Sequence, residues 1–351
     1  MRYARVLNGT CLLAACLLNA CDTQMPRPPG AEYEGDAFTF HKIQDDIYHA
    51  IGTGNLAAGA NATIIINEND VLLVDSHISP AAAWALLREL QPITDKPVRY
   101  VVNTHFHFDH VHGNQVFPSD VEIIGHEFTR EMIATGRTKS GRAYDSFIGT
   151  LPDQVADLRR RVEATTDTSQ RAELERRLTI QENYVAATDA VEAIPPTTTL
   201  ARRMTLFRGG REIRLMFFGR GHTGGDVVVY LPQERVLITG DLLTEGIPYM
   251  GDGYLQEWAE TLEQLKPLEF DVVLPGHGQA FRERQKVDYL QAYLLDLWTK
   301  AADMHRRGVS AEEAATRIDM RSHADHFDIT NVGVQPHAVL RVYELLEEGG
   351  G

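Results

Sequence analysis

Apolar positions along this chain fall mostly into short runs and alternations that make strands, interrupted by stretches with helical spacing. Phe38 to Ile43 and Ile47 to Ile51 alternate apolar and polar residues and predict a strand pair. Ala62 to Ile66 and Val71 to Val74 flank Asn67-Glu68-Asn69-Asp70, which predicts a hairpin. Between these pairs, Gly52 to Asn61 is rich in Gly, Asn and Ala and predicts a flexible loop. Pro80 to Leu90 is expected to be a helix, with Ala81, Trp84, Ala85 and Leu87 on its buried face. Val98 to Asn103 and Val121 to Gly125 read as strands, and His126 to Ala134 as a helix. Thr205 to Phe207 pairs with Ile213 to Phe218 across Gly209-Gly210, and Val227 to Leu231 with Val236 to Thr239. Leu255 to Lys266 predicts a helix, Val272 to Leu274 a strand, and residues 279–348 a mostly helical end. Two halves of strands followed by helix suggest a β-sandwich flanked by helices.

Residues 150–190 depart from that plan. Val155, Leu158 and Val162 repeat at helical spacing, as do Leu174, Leu178, Gln181 and Val185, and Thr165 to Ser169 supplies a turn with good caps. This predicts an inserted helical hairpin. It either shapes a substrate pocket, forms a dimer contact or serves only as a packing insert.

Chemistry concentrates in His105-Phe106-His107-Phe108-Asp109-His110, directly after the Val98 to Asn103 strand. His105 and His107 are two apart, so in extended chain they point the same way. Asp109 and His110 follow where the chain turns. Val111-His112-Gly113-Asn114 reads as the first turn of a helix. The spacing suits two metal ions side by side better than one closed tetrahedral site. Ser322-His323-Ala324-Asp325-His326 copies this motif superficially, but no apolar strand precedes it.

The strand followed by His-x-His-x-Asp-His resembles the signature of the metallo-β-lactamase superfamily. Further matches come in family order: Asp75 closing a strand, Gly221-His222-Thr223-Gly224-Gly225-Asp226, Thr239-Gly240-Asp241, and Pro275-Gly276-His277-Gly278. The resemblance implies an αββα four-layer sandwich (α/β, α+β) over residues 37–351, carrying the inserted hairpin and the helical carboxyl-terminal segment. It implies that His105, His107 and His222 hold one metal, that Asp109, His110 and His277 hold a second, and that Asp241 bridges them. Asp109 and His222 carry over as catalytic residues as well. Asp75 would lie under the metals and orient a ligand histidine; as a residue it reads equally as a cap for the helix at Pro80. Substrate selectivity is expected in residues 52–61, 150–190 and 245–256.

Nitrogen and oxygen ligands without sulfur suit two zinc ions, with iron or manganese as alternatives. Metal-bound water, its pKa lowered to about 7, would act as hydroxide on a carbonyl. The resemblance thus implies a dinuclear hydrolase that opens a carbonyl C–N or C–O bond, in a β-lactam-like or lactone ring. Asp241 stands where one lactamase type has cysteine, and Asp226 where glyoxalase-type thioesterases have a histidine. A thioesterase of that type, a mononuclear iron dioxygenase of the persulfide type and a non-catalytic binding protein remain the other readings.

Composition adds the compartment. The chain has 351 residues, 43% hydrophobic and 24% charged, with a formal net charge of −15. That charge disfavours a nucleic-acid partner, because phosphate binding needs clustered Lys and Arg. All three cysteines, Cys11, Cys16 and Cys21, lie near the amino terminus, which leaves the domain without disulfides or thiolate ligands. Met1 to Arg5 is basic, Val6 to Ala20 mostly apolar and too short to span a bilayer, and Leu18-Asn19-Ala20-Cys21 resembles a bacterial lipoprotein cleavage box. Residues 1–21 are therefore expected to be a signal peptide, residues 22–36 a Pro-rich tether, and the protein a periplasmic lipoprotein anchored at Cys21. An ordinary secretory signal, giving a soluble exported protein, is the alternative. The expected partners are a small-molecule substrate, the membrane through that anchor, and a second copy of the chain if the hairpin makes a dimer contact.

Overall fold

The computed structural model describes residues 26–349. The signal segment, Cys21 and the start of the tether lie outside them. In chain order the elements are β1 (Phe38–Gln44), β2 (Ile47–Gly52), β3 (Ala62–Ile66), β4 (Val71–Val74), α1 (Pro80–Leu90), β5 (Val98–Val102), α2 (Phe108–Val111), β6 (Glu122–His126) and α3 (Glu127–Ala134). The insert follows as α4 (Arg142–Phe147), α5 (Leu151–Ala164) and α6 (Thr168–Asp189). Then come β7 (Thr198–Leu200), β8 (Arg203–Arg208), β9 (Arg211–Met216), β10 (Val228–Leu231), β11 (Val236–Gly240), α7 (Leu255–Glu263), β12 (Val272–Pro275), α8 (Lys286–Arg306), α9 (Ala311–Arg317) and α10 (Pro336–Glu348).

Strands β1 to β7 form one sheet in sequence order, and a second sheet runs β12-β11-β10-β9-β8. Local chemistry sets the turning points. Ser79 caps α1 by accepting from Ala82 N at 3.2 Å, and Pro80 starts the helix where no backbone donor is needed. That helix carries the chain back so that β5 lies parallel to β4. Leu72, Val74, Val102 and Ile124 from one sheet meet Leu215, Val229, Ile238 and Leu274 from the other in a wholly apolar middle layer. Ala81, Ala85 and Leu86 of α1 cover the outside of the first sheet with Ile64 and Leu73. Trp258, Leu294 and Val339, from α7, α8 and α10, cover the second with Val228 and Leu237. The expected αββα sandwich is present, and the carboxyl-terminal segment is helical. Among the described residues, no helix is long and apolar enough to cross a membrane.

Three expectations need correction. The helical turn after β5 spans Phe108–Val111, so Asp109 and His110 lie on it rather than before it. Residues 26–36 are no loose tether: Ala31 is fully buried, and Asn183 Nδ2 of α6 donates to Glu32 O at 2.8 Å. Gly30 sits so close to α6 that a Cβ there would lie 2.1 Å from Asn183 O. The Gly52 to Asn61 loop is tied down as well, by Asn61 N to Gly276 O at 2.7 Å and Asn61 Nδ2 to Gly278 O at 2.9 Å. Three-residue β7 and six-residue α4 went unpredicted, because segments so short show no period.

Candidate metal centre

The chemistry-bearing side chains converge at one end of the sandwich. His105 and His107 leave the end of β5, Asp109 and His110 ride on α2, and His222 follows β9 on a loop rich in glycine. Asp241 directly follows β11, and His277 follows β12. Strand ends are rigid mounts, and the parallel pairing of β11 with β12 sets Asp241 beside His277.

His107 Nδ1 lies 3.1 Å from His105 Nε2 and 2.9 Å from His222 Nε2. His277 Nε2 lies 3.1 Å from Asp109 Oδ2, and His110 Nε2 is 3.6 Å from that same oxygen. Asp241 stands between the two groups: its Oδ2 is 3.6 Å from His222 Nε2 and 3.3 Å from His277 Nε2. Its Oδ1 faces His110 Nε2 at 3.5 Å, and both atoms are buried without a hydrogen bond. Each three-residue group offers ligand atoms that all lie within 4.8 Å of one another. The structure thus brings all seven expected ligands together.

The opposite ring nitrogens are held by neighbours. Thr104 Oγ1 donates to Asp75 Oδ2 at 2.8 Å, so it accepts from His105 Nδ1 at 3.0 Å. His110 Nδ1 donates to Asp75 Oδ2 at 2.8 Å, and His107 Nε2 to Asp252 Oδ2 at 3.1 Å. In the tautomers these bonds select, His105 Nε2 and His107 Nδ1 turn their lone pairs to each other only 3.1 Å apart. Two bare nitrogens at that distance repel unless a cation lies between them, which is the arrangement a metal ion satisfies. Since Ser79 caps α1, Asp75 has no capping role; it sits instead under His110 and Thr104, at φ +64°.

Electrostatics separate the two groups. Burial, reinforced by His110, His222 and His107, holds the His105 imidazole neutral far below its usual value. Burial also pushes His222 down to about 3. For His110 and His277 burial opposes the charge, but facing carboxylates override it. Asp109, Asp241 and Asp75 hold His110 protonated well above its usual value, and Asp241 and Asp109 raise His277 to about 10. Asp109 and Asp241 are correspondingly pulled below the usual carboxylate range despite their burial.

Asp226 is not part of the ligand cluster. Buried, it accepts from Thr223 N at 2.9 Å and Thr223 Oγ1 at 2.8 Å, which folds the loop carrying His222, and burial raises it to about 6. His222, expected to be catalytic as well as metal-binding, is fully buried and is not among the residues lining the cleft. His323 turns to Asp296 at 2.9 Å and His326 stacks on Tyr289, so the motif copy near the end brings no third ligand together. Thr104 and Asp252 were missed by sequence reading. Asp252 lies in Gly251-Asp252-Gly253, a loop whose Gly251 carbonyl is held by Arg142 from α4. No spacing rule links Asp252 to His107 across 145 positions.

A cleft of about 620 Å³ opens over Asp109, Asp241 and His277. Gly59, Leu151, Gln181, Tyr184 and Tyr249 are among its walls, so all three segments expected to govern selectivity reach it. The inserted hairpin therefore borders the site.

A helix-flanked β-sandwich with a histidine–aspartate cluster at one end defines a class of metal-dependent hydrolases. Residues 57–277 match the profile of the metallo-beta-lactamase superfamily, and the chain belongs to that superfamily. A linear primary-alkylsulfatase from Pseudomonas sp. is 24% identical over 292 residues, covering 78% of this chain and 53% of the relative. The chain thus spans about half the length of that protein. The alpha subunit of a 2,4-dinitroanisole O-demethylase from Nocardioides sp. is 24% identical over 319 residues, 88% of this chain and 77% of the relative. Among solved structures, a stereoselective inverting sec-alkylsulfatase from Pseudomonas sp. superposes with a TM-score of 0.62 at 18% identity, over 88% of this chain and 50% of the other.

Proposed function

We propose that this chain is a two-metal hydrolase that breaks a carbonyl C–N or C–O bond, with cyclic amides and esters as its substrate class. The observation that carries the reading is the pair of bare nitrogens on His105 and His107, facing His222, with a second ligand group joined to the first through Asp241. His105, His107 and His222 would hold one ion, Asp109, His110 and His277 the other, and Asp241 both. The nitrogen-rich donor set favours zinc, and iron and manganese share its preferences in part. Bound ions would supply Lewis acidity and acidify water.

The chain's own residues do the rest. Asp109 lines the cleft with its side chain 14% exposed, and its ionised carboxylate can accept a hydrogen bond from an attacking water and orient it. Asp75, Thr104 and Asp252 fix the imidazoles, while the cleft walls shield the bond from bulk water. His222 acts through what it holds.

The relatives favour a second reading, hydrolysis of a sulfate ester or removal of an O-methyl group, because an alkylsulfatase and an O-demethylase match most of this chain. One experiment separates the two. Metal content is measured on unsupplemented protein, which is then assayed on β-lactams, lactones, thioesters, alkyl sulfates and 2,4-dinitroanisole. Turnover of lactones or lactams with two ions bound is the expected result. Turnover of alkyl sulfates or the anisole alone would overturn the carbonyl reading in favour of the second.

Export is part of the proposal. The basic start, the apolar run and Leu18-Asn19-Ala20-Cys21 support lipidation at Cys21, and Asp22 behind it favours retention at the inner membrane. Fractionation of the wild type and Cys21→Ala tests it: equal solubility of the two would rule the anchor out.

A further inference from the structure

We infer that the cleft is built for a substrate with an uncharged, chain-like apolar arm, and that it rejects substrates bearing a negative charge remote from the bond that breaks. The inference rests on the hydrolase reading above and adds the substrate class. Apolar side chains from four parts of the chain meet over the ligands: Phe147 and Leu151 from the insert, Ile247 and Pro248 after β11, Ile78 between β4 and α1, and Phe108 within the first motif. Phe147 is 54% exposed, and its ring lies 6.1 Å from both Phe108 and Tyr249. A large aromatic left open at the rim of a cleft is what an apolar ligand covers. The volume of about 620 Å³ exceeds what a small ring needs, so an arm extending from Asp109 and His277 towards the hairpin has room.

Charge points the same way. Apart from the proposed ligands, Glu245 is the one ionisable acid among the residues lining the cleft, and none of those residues is Lys or Arg. Arg142 is turned away to Gly251 O and Glu344. A carboxylate on the arm would lose its hydration with no cation to meet it, inside a chain of net charge −15. The remaining polar groups are neutral. They include Gln154 and Gln335, exposed amides that can meet an uncharged polar group and cannot neutralise a carboxylate.

The test uses δ-lactones with alkyl arms of increasing length, the matching lactams, the same lactones ending in a carboxylate, and alkyl cyclic ethers of matching size that cannot be hydrolysed. Calorimetric binding of the ethers is measured on metal-free and metal-loaded protein, and kcat/KM on the lactones. The expected result is a gain of about three- to fourfold per methylene until the cleft is filled, in binding and in kcat/KM alike. The carboxylate-ended lactones should fall about tenfold or more below their uncharged counterparts. Gln154→Arg, at an exposed position on the cleft wall, should narrow that gap. Chain-dependent binding of the ethers with neither the lactones nor the matching lactams turned over would sustain this inference and sink the hydrolase reading. Turnover with flat chain dependence, or a preference for the carboxylates in the wild type, would overturn the inference and leave the hydrolase standing.

Discussion

His110 donates its Nδ1 proton to Asp75 Oδ2 at 2.8 Å, and this bond decides which nitrogen of His110 faces the site. The same carboxyl oxygen takes the Thr104 hydroxyl proton, and Thr104 in turn receives His105 Nδ1. One buried aspartate therefore orients a histidine in each of the two ligand groups.

Asp75→Asn tests that role. Asn tolerates the positive φ at this position, so the backbone is kept while the charge and one acceptor are lost. Metal affinity should fall about 10- to 100-fold, measured by competition with a chromophoric chelator. Unchanged affinity would mean that the imidazoles are oriented by packing alone.

Asp252→Asn should act on one group only. Its partner His107 belongs with His105 and His222, so the ion held there should weaken about tenfold while the Asp109–His110–His277 site changes little. Two-phase chelator titration reads both sites in one experiment, and equal weakening of both would count against the assignment.

Gly276→Ala probes how tightly the bridge is packed. A Cβ there would lie 2.2 Å from Asp241 Oδ1 and 2.8 Å from His110 Cε1. The variant should lose metal and about 1–3 kcal/mol of stability, because the carboxylate has to move. Full metal loading at native melting temperature would show that Asp241 is free to sit elsewhere.

His49 gives the fold an acid-sensitive point away from the metal ligands. Burial, with His41 nearby, pushes its imidazole from 6.5 down to about 4. The folded state therefore binds fewer protons than the unfolded chain between those values. The stability contributed by neutral His49 is complete above pH 6.5 and is lost as pH falls towards 4, about 2 kcal/mol between pH 7 and pH 5. Urea unfolding at both pH values should show a smaller loss for His49→Gln than for the wild type, and equal losses would contradict the shift.

The sandwich was legible because its signals are local. Buried runs such as Val71 to Val74, and a Ser-Pro start before Ala81, name a strand and a helix with no tertiary help. The proposed ligands were legible because each sits at a fixed offset from a strand end. Thr104 was hidden in plain view beside His105, since a hydroxyl next to a histidine carries no period. Asp252 and the tied-down Gly52 to Asn61 loop depend on contacts with distant segments: Asn61 reaches Gly278, and Arg142 holds the Asp252 loop. The insert was legible in its spacing, yet its inner face serves two ends: Gln181 and Tyr184 reach the cleft, while Tyr184, Val185 and Ala187 pack on the core outside the first sheet.

The central claim is that Asp241 joins two ion sites into one centre. Metal per chain, measured by elemental analysis on wild type and Asp241→Ala prepared identically, tests it most directly, with melting temperature recorded on the same samples. Removing an anion placed between two cations leaves their repulsion uncompensated, so one site should empty first. Two ions in the wild type and one or fewer in Asp241→Ala is the predicted result; two ions in both would contradict the bridge.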